Sequence, residues 1–325
     1  VTAFADACGM GLCLFFTLSA YLIATLLLDE RRTTGTVSIP KFYIRRTLRI
    51  WPLYLFGLLI GAAFALFDHD RQQLTALTWY LFFVGNFYCA LFGWHPGVMS
   101  SLWSISVEEQ FYLVWPWAMR RFTRKGLLVC ACVFLLASDA MLMILGWRHA
   151  DADSAVWANT LVQFQMFGVG ILLALFPKIR LSPGLGRGLA LALAGPVLWF
   201  AACFAFHPNS PGPALGGPSL IAGYALTAIG CAAVLVGFSA IPPVYMPAWA
   251  VGLGKISYGL YVYHMLSIRI VAETMNRFGV GHFPGDRTAI AFFLNIVLAK
   301  LSYAWLEKPF LQLKRRFELV HSRPV

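Results

Sequence analysis

The sequence predicts an all-α, polytopic membrane helical bundle. Composition, the lengths of the apolar stretches and the alternation of charge between them all predict it. Of 325 residues, 59% are hydrophobic even before the 28 glycines are counted, against about 45–50% with glycine included in soluble domains. Only 12% are charged, about half the usual share, and mean hydropathy is +0.71. Such a chain lacks the polar surface to cover itself in water. That excludes a soluble globular enzyme, a disordered protein and a secreted disulfide scaffold. The seven cysteines (Cys8, Cys13, Cys89, Cys130, Cys132, Cys203, Cys231) lie almost entirely within apolar stretches and contain no CxxC pair. Neither a disulfide framework nor metal-ligand spacing is expected. The net charge of +11 reads as an orientation signal, since excess Lys and Arg gather in cytoplasmic loops; no nucleic-acid partner is expected.

Apolar stretches fall at about 8–28, 51–67, 79–93, 110–119, 126–147, 157–176, 188–206, 219–240, 250–270 and 288–306. A spanning helix uses about 20 residues, so all but 79–93 and 110–119 are long enough to cross. Basic connections run from Arg31 to Arg49, Arg120 to Lys125 and Lys178 to Arg187, followed by a tail with Lys308, Lys314, Arg315, Arg316 and Arg323. The others, Asp68 to Gln73, His149 to Asp153, His207 to Pro218 and Glu273 to Asp286, are acidic, neutral or weakly charged. With the basic connections inside, the last six stretches alternate without conflict and the C-terminus is cytoplasmic. Between Arg49 and Arg120 an even number of crossings is required, yet three apolar stretches intervene. The two short ones must together make one net crossing, with polar backbone shielded between them. A broken or re-entrant segment around 79–119 follows, and about nine crossings in all, with Val1 outside. The chain starts at Val1 without a basic region ahead of its first apolar run, so no cleavable signal is expected.

Three segments carry candidate chemistry. In the first, Lys41, Arg45 and Arg49 share one helical face at i, i+4, i+8, with Arg46 beside Arg49. Pro52 is expected to reset the backbone where the membrane helix begins. These cations either mark the cytoplasmic side or form an anion site, because guanidinium groups pair with phosphate oxygens. The second is the run from Ser101 to Tyr112. Ser106 and Glu109 fit a capping box, which makes Glu109 structural. Glu108 is left unassigned at membrane depth, where ionisable groups cost about 2.5–3.5 kcal/mol and face a partner or a polar cavity. Trp103, Tyr112, Trp115 and Trp117 read first as interface anchors. In the third, Ser257, Tyr261 and His264 lie on one helical face. His264 is either a general base or a structural imidazole. His69, His95, His149, His207, His282 and His321 occupy loop or terminal positions and carry no signal.

At these residues the sequence resembles the acyltransferase 3 family of bacterial integral-membrane sugar O-acyltransferases. Gly11 to Ile23, with Phe15-Phe16-Thr17-Leu18-Ser19-Ala20-Tyr21, resembles its second helix, and Phe42 to Tyr54 its arginine-rich segment. Leu102 to Pro116 is similar to its Trp-Ser-Leu-Ser-Val-Glu-Glu-Gln-Phe-Tyr stretch with Ile105 in place of leucine, and Ile256 to His264 to its Ser-Tyr-x-x-Tyr-x-x-His helix. The resemblance implies one acyltransferase domain over 1–325, truncated at its amino terminus, since the family has ten spans. The family's first helix carries a basic residue and a histidine acting as base, which nothing here matches. Ala20 also stands where the family has glycine. The implied reaction moves an acyl group, acetyl for preference, from cytoplasmic acyl-CoA to a hydroxyl of a cell-surface carbohydrate or its lipid-linked precursor, as in lipopolysaccharide O-acetylation at the bacterial inner membrane.

By that resemblance Arg45, Arg46 and Arg49 hold the coenzyme phosphates and no metal is required. Glu108 and His264 are the catalytic candidates; Glu109, Trp103 and Tyr261 are candidates for substrate contact. With a histidine restored upstream His264 is auxiliary, and without one it leads as base. Two other classes compete: a transporter of an anionic or lipid-linked saccharide, and a non-catalytic scaffold.

Overall fold

The computed structural model describes residues 2–95, 97–177, 184–211, 213–279 and 284–319. Val1, Lys178 and Arg180 of the third basic connection, His282, and His321 and Arg323 of the tail lie outside the described residues. In chain order the helices are α1 (Thr2–Gly9), α2 (Gly11–Thr34), α3 (Ile39–Phe67), α4 (Arg71–Leu81), α5 (Gly85–Phe92), α6 (Trp103–Arg121), α7 (Arg124–Trp147), α8 (Thr160–Leu175), α9 (Leu185–Phe206), α10 (Gly217–Ala240), α11 (Ala248–Lys255), α12 (Ser257–Phe278), α13 (Pro284–Ser302) and α14 (Lys308–Arg315). The fold is an all-α polytopic membrane bundle. Among the described residues six helical segments are long and apolar enough to cross a bilayer: Asp6–Thr34, Ile39–Phe67, Arg124–Trp147, Leu185–Phe206, Gly217–Ala240 and Gly285–Arg315. Thr160–Leu175 is apolar but shorter. Their outer faces carry Leu136, Leu193, Phe204 and Phe293 exposed, a polarity that only a lipid environment satisfies.

The structure redraws three local expectations. Pro52 does not begin a helix: it lies inside α3, which runs unbroken from the basic segment into the apolar one. A membrane helix accommodates an internal proline; close by, the Tyr258 hydroxyl donates to the Ile50 carbonyl at 2.8 Å. The capping box at Ser106 and Glu109 is not formed, because helix starts earlier. A 3₁₀ turn at Ser100–Leu102, braced by Ser100 Oγ donating to Gly97 O at 3.0 Å, leads directly into α6. Ser106 is therefore a buried interior residue. Finally, the apolar stretch at 250–270 is divided between α11 and α12 at Ile256, whose φ of −100° and ψ of 7° leave the helix.

The chain forms two compact units. The first comprises Val1–Val37, Asn86–Gly93 and Val107–Met246, and its helices meet through small residues. A Cβ on Gly195 of α9 would come within 2.7 Å of Gly230 O, and one on Gly237 of α10 within 2.8 Å of Gly188 O. Glycines seven apart on both helices thus allow backbone to approach backbone, the packing that replaces a hydrophobic drive in lipid. A closed polar ring ties α5, α6 and α8: Asn86 Nδ2 donates to Thr160 Oγ1 (2.8 Å), Thr160 Oγ1 to Gln110 Oε1 (2.6 Å), and Gln110 Nε2 to Asn86 Oδ1 (2.9 Å). Arg31 Nη1 donates to Met119 O and Phe122 O, and Arg124 Nη2 to Leu175 O. The basic end of α2 and the basic start of α7 are thereby tied to the ends of α6 and α8.

The second unit comprises Ser38–Gly85, Trp94–Ser106 and Pro247–Val325. α12 packs on α13, where Asn295 Nδ2 donates to Leu260 O at 3.0 Å. Tyr54 of α3 donates to Tyr80 O at 2.6 Å and stacks on Phe83 with centroids 4.7 Å apart. Arg269 clamps the far end of α3: it pairs with Asp68 and Glu273, each at 2.7 Å, above the Phe64 ring.

Candidate active site

Within the second unit the arginine-rich face of α3 meets the C-terminal helix. Arg45 is buried and donates through Nη1 to Phe317 O at 3.0 Å. Arg46 lies over the Phe42 ring, 5.6 Å from its centroid, and Arg49 is exposed. Lys314 of α14 lies within electrostatic reach of Arg46 and Arg49 and pairs with Glu318 at 3.3 Å. Glu307, from the π-helical turn Tyr303–Glu307, feels Arg49 and accepts from Ser302 Oγ at 3.4 Å. The three predicted arginines are thus brought together, and α14 adds a fourth cation. The sequence reading took Lys314 only as tail charge; its strongly amphipathic helix, with Phe310 and Leu313 set among basic residues, was the available signal.

α12 presents Tyr258, Tyr261 and His264 to the same unit. The Tyr261 hydroxyl donates to Ser101 O, which leaves its oxygen to accept from Ser104 Oγ at 2.5 Å. His264 Nδ1 lies 2.5 Å from the Tyr261 carbonyl. A carbonyl only accepts, so Nδ1 carries the hydrogen and, in the neutral ring, Nε2 holds the lone pair. Trp103 is buried beside Trp94, their centroids 5.9 Å apart.

α6 begins in the second unit and continues into the first, where the two carboxylates sit. Glu108 is buried and its Oε1 accepts from the Tyr112 hydroxyl at 3.0 Å. That hydroxyl in turn lies 2.5 Å from Ser19 Oγ, giving a chain from α2 through α6 to the carboxylate. Glu109 is half-buried. Trp103, Tyr112 and Trp115 are buried and not interface anchors, because α6 is wrapped by aromatic rings: Phe111 stacks on Phe167 at 4.3 Å and Trp115 on Phe111 at 5.6 Å. Trp117 alone of the four is exposed.

His95 was also underrated. It is 2% exposed, and its Nε2 lies 3.1 Å from the Tyr80 hydroxyl. That hydroxyl spends its proton on Ser100 O, so Nε2 donates. Asp70 caps α4, and hydrogen bonds from the Gln73 side chain and backbone hold its carboxyl below the usual carboxylate range. No cluster of three or more metal-ligating side chains occurs among the described residues.

Comparison with known proteins decides the family. The model of the acyltransferase 3 family, an acyltransferase domain, matches residues 3–305. The chain belongs to this acyltransferase family. It is similar to O-acetyltransferase OatA of Staphylococcus aureus strain NCTC 8325 / PS 47, with 24% identity over 92% of this chain and 52% of that protein. OatA of strain COL aligns with the same identity and coverage. The chain therefore spans about half the length of the curated relatives it matches. No solved structure matches it. The packing around Ala20 is close. Ala20 is fully buried against α8 at Gly170, where a Cβ would meet Ala20 Cβ at 2.8 Å and Thr17 O at 2.3 Å. The glycine opposite makes room for the Ala20 methyl.

Proposed function

We propose that this acyltransferase is a membrane-bound O-acetyltransferase that takes its acyl group from acyl-CoA and delivers it to a carbohydrate hydroxyl. The reading extends to a cytoplasmic-membrane location with the C-terminus inside. The observation that carries it is the cation cluster of Arg46, Arg49 and Lys314, with Arg45 fixed beneath by Phe317 O. Several guanidinium and ammonium groups on one face suit a ligand with several phosphates. Relatives named O-acetyltransferases favour acetyl as the group moved.

The donor supplies an acyl group on a thioester. Arg49, Arg46 and Lys314 bind its phosphates, while Arg45 positions the carboxyl end of the chain against them. His264 Nε2 accepts the proton of the acceptor hydroxyl as its oxygen forms the ester, and the coenzyme leaves as the thiol. Tyr261 positions α12 against the turn Ser100–Leu102 and the start of α6, and Trp103 shapes that wall. In the first unit Glu108, oriented by the Tyr112 hydroxyl, is assigned to catalysis and Glu109 to substrate contact.

Membranes containing the protein, supplied with [¹⁴C]acetyl-CoA, are expected to label an alkali-labile glycan ester, and His264→Ala membranes to label it at least tenfold less. Labelling no greater than in membranes lacking the protein would refute the reading.

A further inference from the structure

A second basic site lies in the first unit, where the helices of that unit end. Leu28, Arg31, Arg32, Arg124, Leu127, Ala174, Leu175 and Pro177 enclose a cavity of about 360 Å³. Its wall divides by chemistry. Arginines from the end of α2 and the start of α7 form one side, and aliphatic groups from α2, α7 and the end of α8 form the other. Volumes of about 300–1,000 Å³ are typical of small-molecule sites.

The arginines are held in place without being neutralised. Arg31 Nη1 donates to Met119 O at 3.1 Å and Phe122 O at 2.5 Å. Arg124 Nη2 donates to Leu175 O, and its guanidinium lies 5.5 Å from the Phe176 centroid. Among the described residues neither forms an ion pair with a carboxylate; Arg32 alone meets one, Asp29, at an exposed 3.5 Å. A guanidinium has five N–H donors in a planar fork, so the carbonyl bonds fix each group and leave donor capacity over. Capping of α6 and α8 accounts for those bonds. It does not account for a cavity beside them, nor for a third arginine at its rim.

We propose that this cavity binds the headgroup of an anionic membrane phospholipid, the non-bridging oxygens of its phosphate on Arg31, Arg32 and Arg124 and the first methylenes of its chains on Leu28, Leu127 and Leu175; the fixed cation of a choline headgroup is repelled by the same three arginines. Basic pockets between membrane helices take lipid headgroups in this way. The same chemistry, a phosphate joined to an apolar tail, is present in acyl-CoA, so the test separates the two sources.

Native mass spectrometry of the detergent-purified protein, titrated with dioleoylphosphatidylglycerol or dioleoylphosphatidylcholine, reads the apparent Kd for each. The expected result is at least fivefold tighter binding of the anionic lipid, reduced to the phosphatidylcholine level by Arg32→Gln with Arg124→Gln. Arg49→Gln, in the other unit, leaves the preference unchanged. Added coenzyme A that leaves the anionic lipid bound supports the phospholipid. Displacement by coenzyme A overturns it in favour of the donor. Equal binding of the two lipids by the parent protein refutes the site without recourse to any variant. If the double variant aggregates, Arg32→Gln alone is expected to halve the preference or more, since its exposed side chain caps no helix; an unchanged preference refutes the site.

Discussion

Arg49→Gln separates a donor site from a set of orientation charges. Arg49 is the exposed member of the α3 cluster, and Lys314 and Glu307 lie within its electrostatic reach. A hydrogen bond to a charged group contributes about 1.5–3 kcal/mol, and about 1.4 kcal/mol is a factor of ten. Losing one such phosphate contact raises the donor KM by about 10- to 150-fold. Solvent around Arg49 places the expected value near the lower bound, about tenfold, with kcat within a factor of two. Arg45→Gln behaves differently. Its guanidinium is buried on Phe317 O, so removal strands a carbonyl and costs about 1–3 kcal/mol of stability, with a secondary rise in KM. The assay is the initial rate of [¹⁴C]acetyl transfer in inverted membrane vesicles across donor concentrations, alongside the melting temperature of each purified variant. An Arg49→Gln protein with parental KM and kcat would refute the phosphate role.

Other expectations follow from single observations. Glu108→Gln keeps the volume and the Tyr112 contact but removes the ionisable carboxyl; kcat is expected to fall at least tenfold with donor KM unchanged, read from the same initial rates. With His264 as base the parent rate is expected to vary with pH as the imidazole changes charge, and His264→Gln to abolish that variation; a profile unchanged in shape would remove His264 as the base. Gly237→Val puts a Cβ 2.6 Å from Ala192 N and 2.8 Å from Gly188 O, and overpacking of this kind costs about 1–3 kcal/mol, seen as a lower melting temperature in detergent. Asp70→Ala removes the α4 cap that accepts from Gln73 N at 3.1 Å, costing about 1 kcal/mol. Because the folded carboxyl is held below its unfolded value, its contribution is complete above the unfolded carboxylate range. It is lost as pH falls through the folded pKa, so parent and variant melting temperatures converge in acid.

Six of the spans were legible because each is long and apolar in its own sequence. The interruptions were not. Pro52 reads locally as a boundary, yet α3 runs through it from Ile39 to Phe67, as membrane helices tolerate where surrounding groups satisfy the backbone. The capping pattern at Ser106 and Glu109 was present in the residues and overruled by the 3₁₀ turn ahead of it. His95 looked like a loop residue because its burial comes from Tyr80 and Ser100 rather than from its neighbours in sequence.

Spacing also leaves anchors and reagents undistinguished. Ser257, Tyr261 and His264 fall on one face of α12, and that pattern serves a polar seam between helices as well as it serves a catalytic surface. Proton bookkeeping separates them. Tyr261 has one hydrogen, spent on Ser101 O, and its oxygen is taken by Ser104; it holds the helix. His264 spends Nδ1–H on its own helix, which fixes the tautomer and directs any acceptor role to Nε2. Glu108 is treated in the same way, with one oxygen held by Tyr112 and that tyrosine by Ser19. A scaffold would gain nothing from fixing an imidazole tautomer, and a reaction that moves a proton depends on it. The pH profile of His264→Gln therefore discriminates between the two more sharply than loss of activity alone, since misfolding abolishes turnover at every pH and cannot selectively flatten the profile.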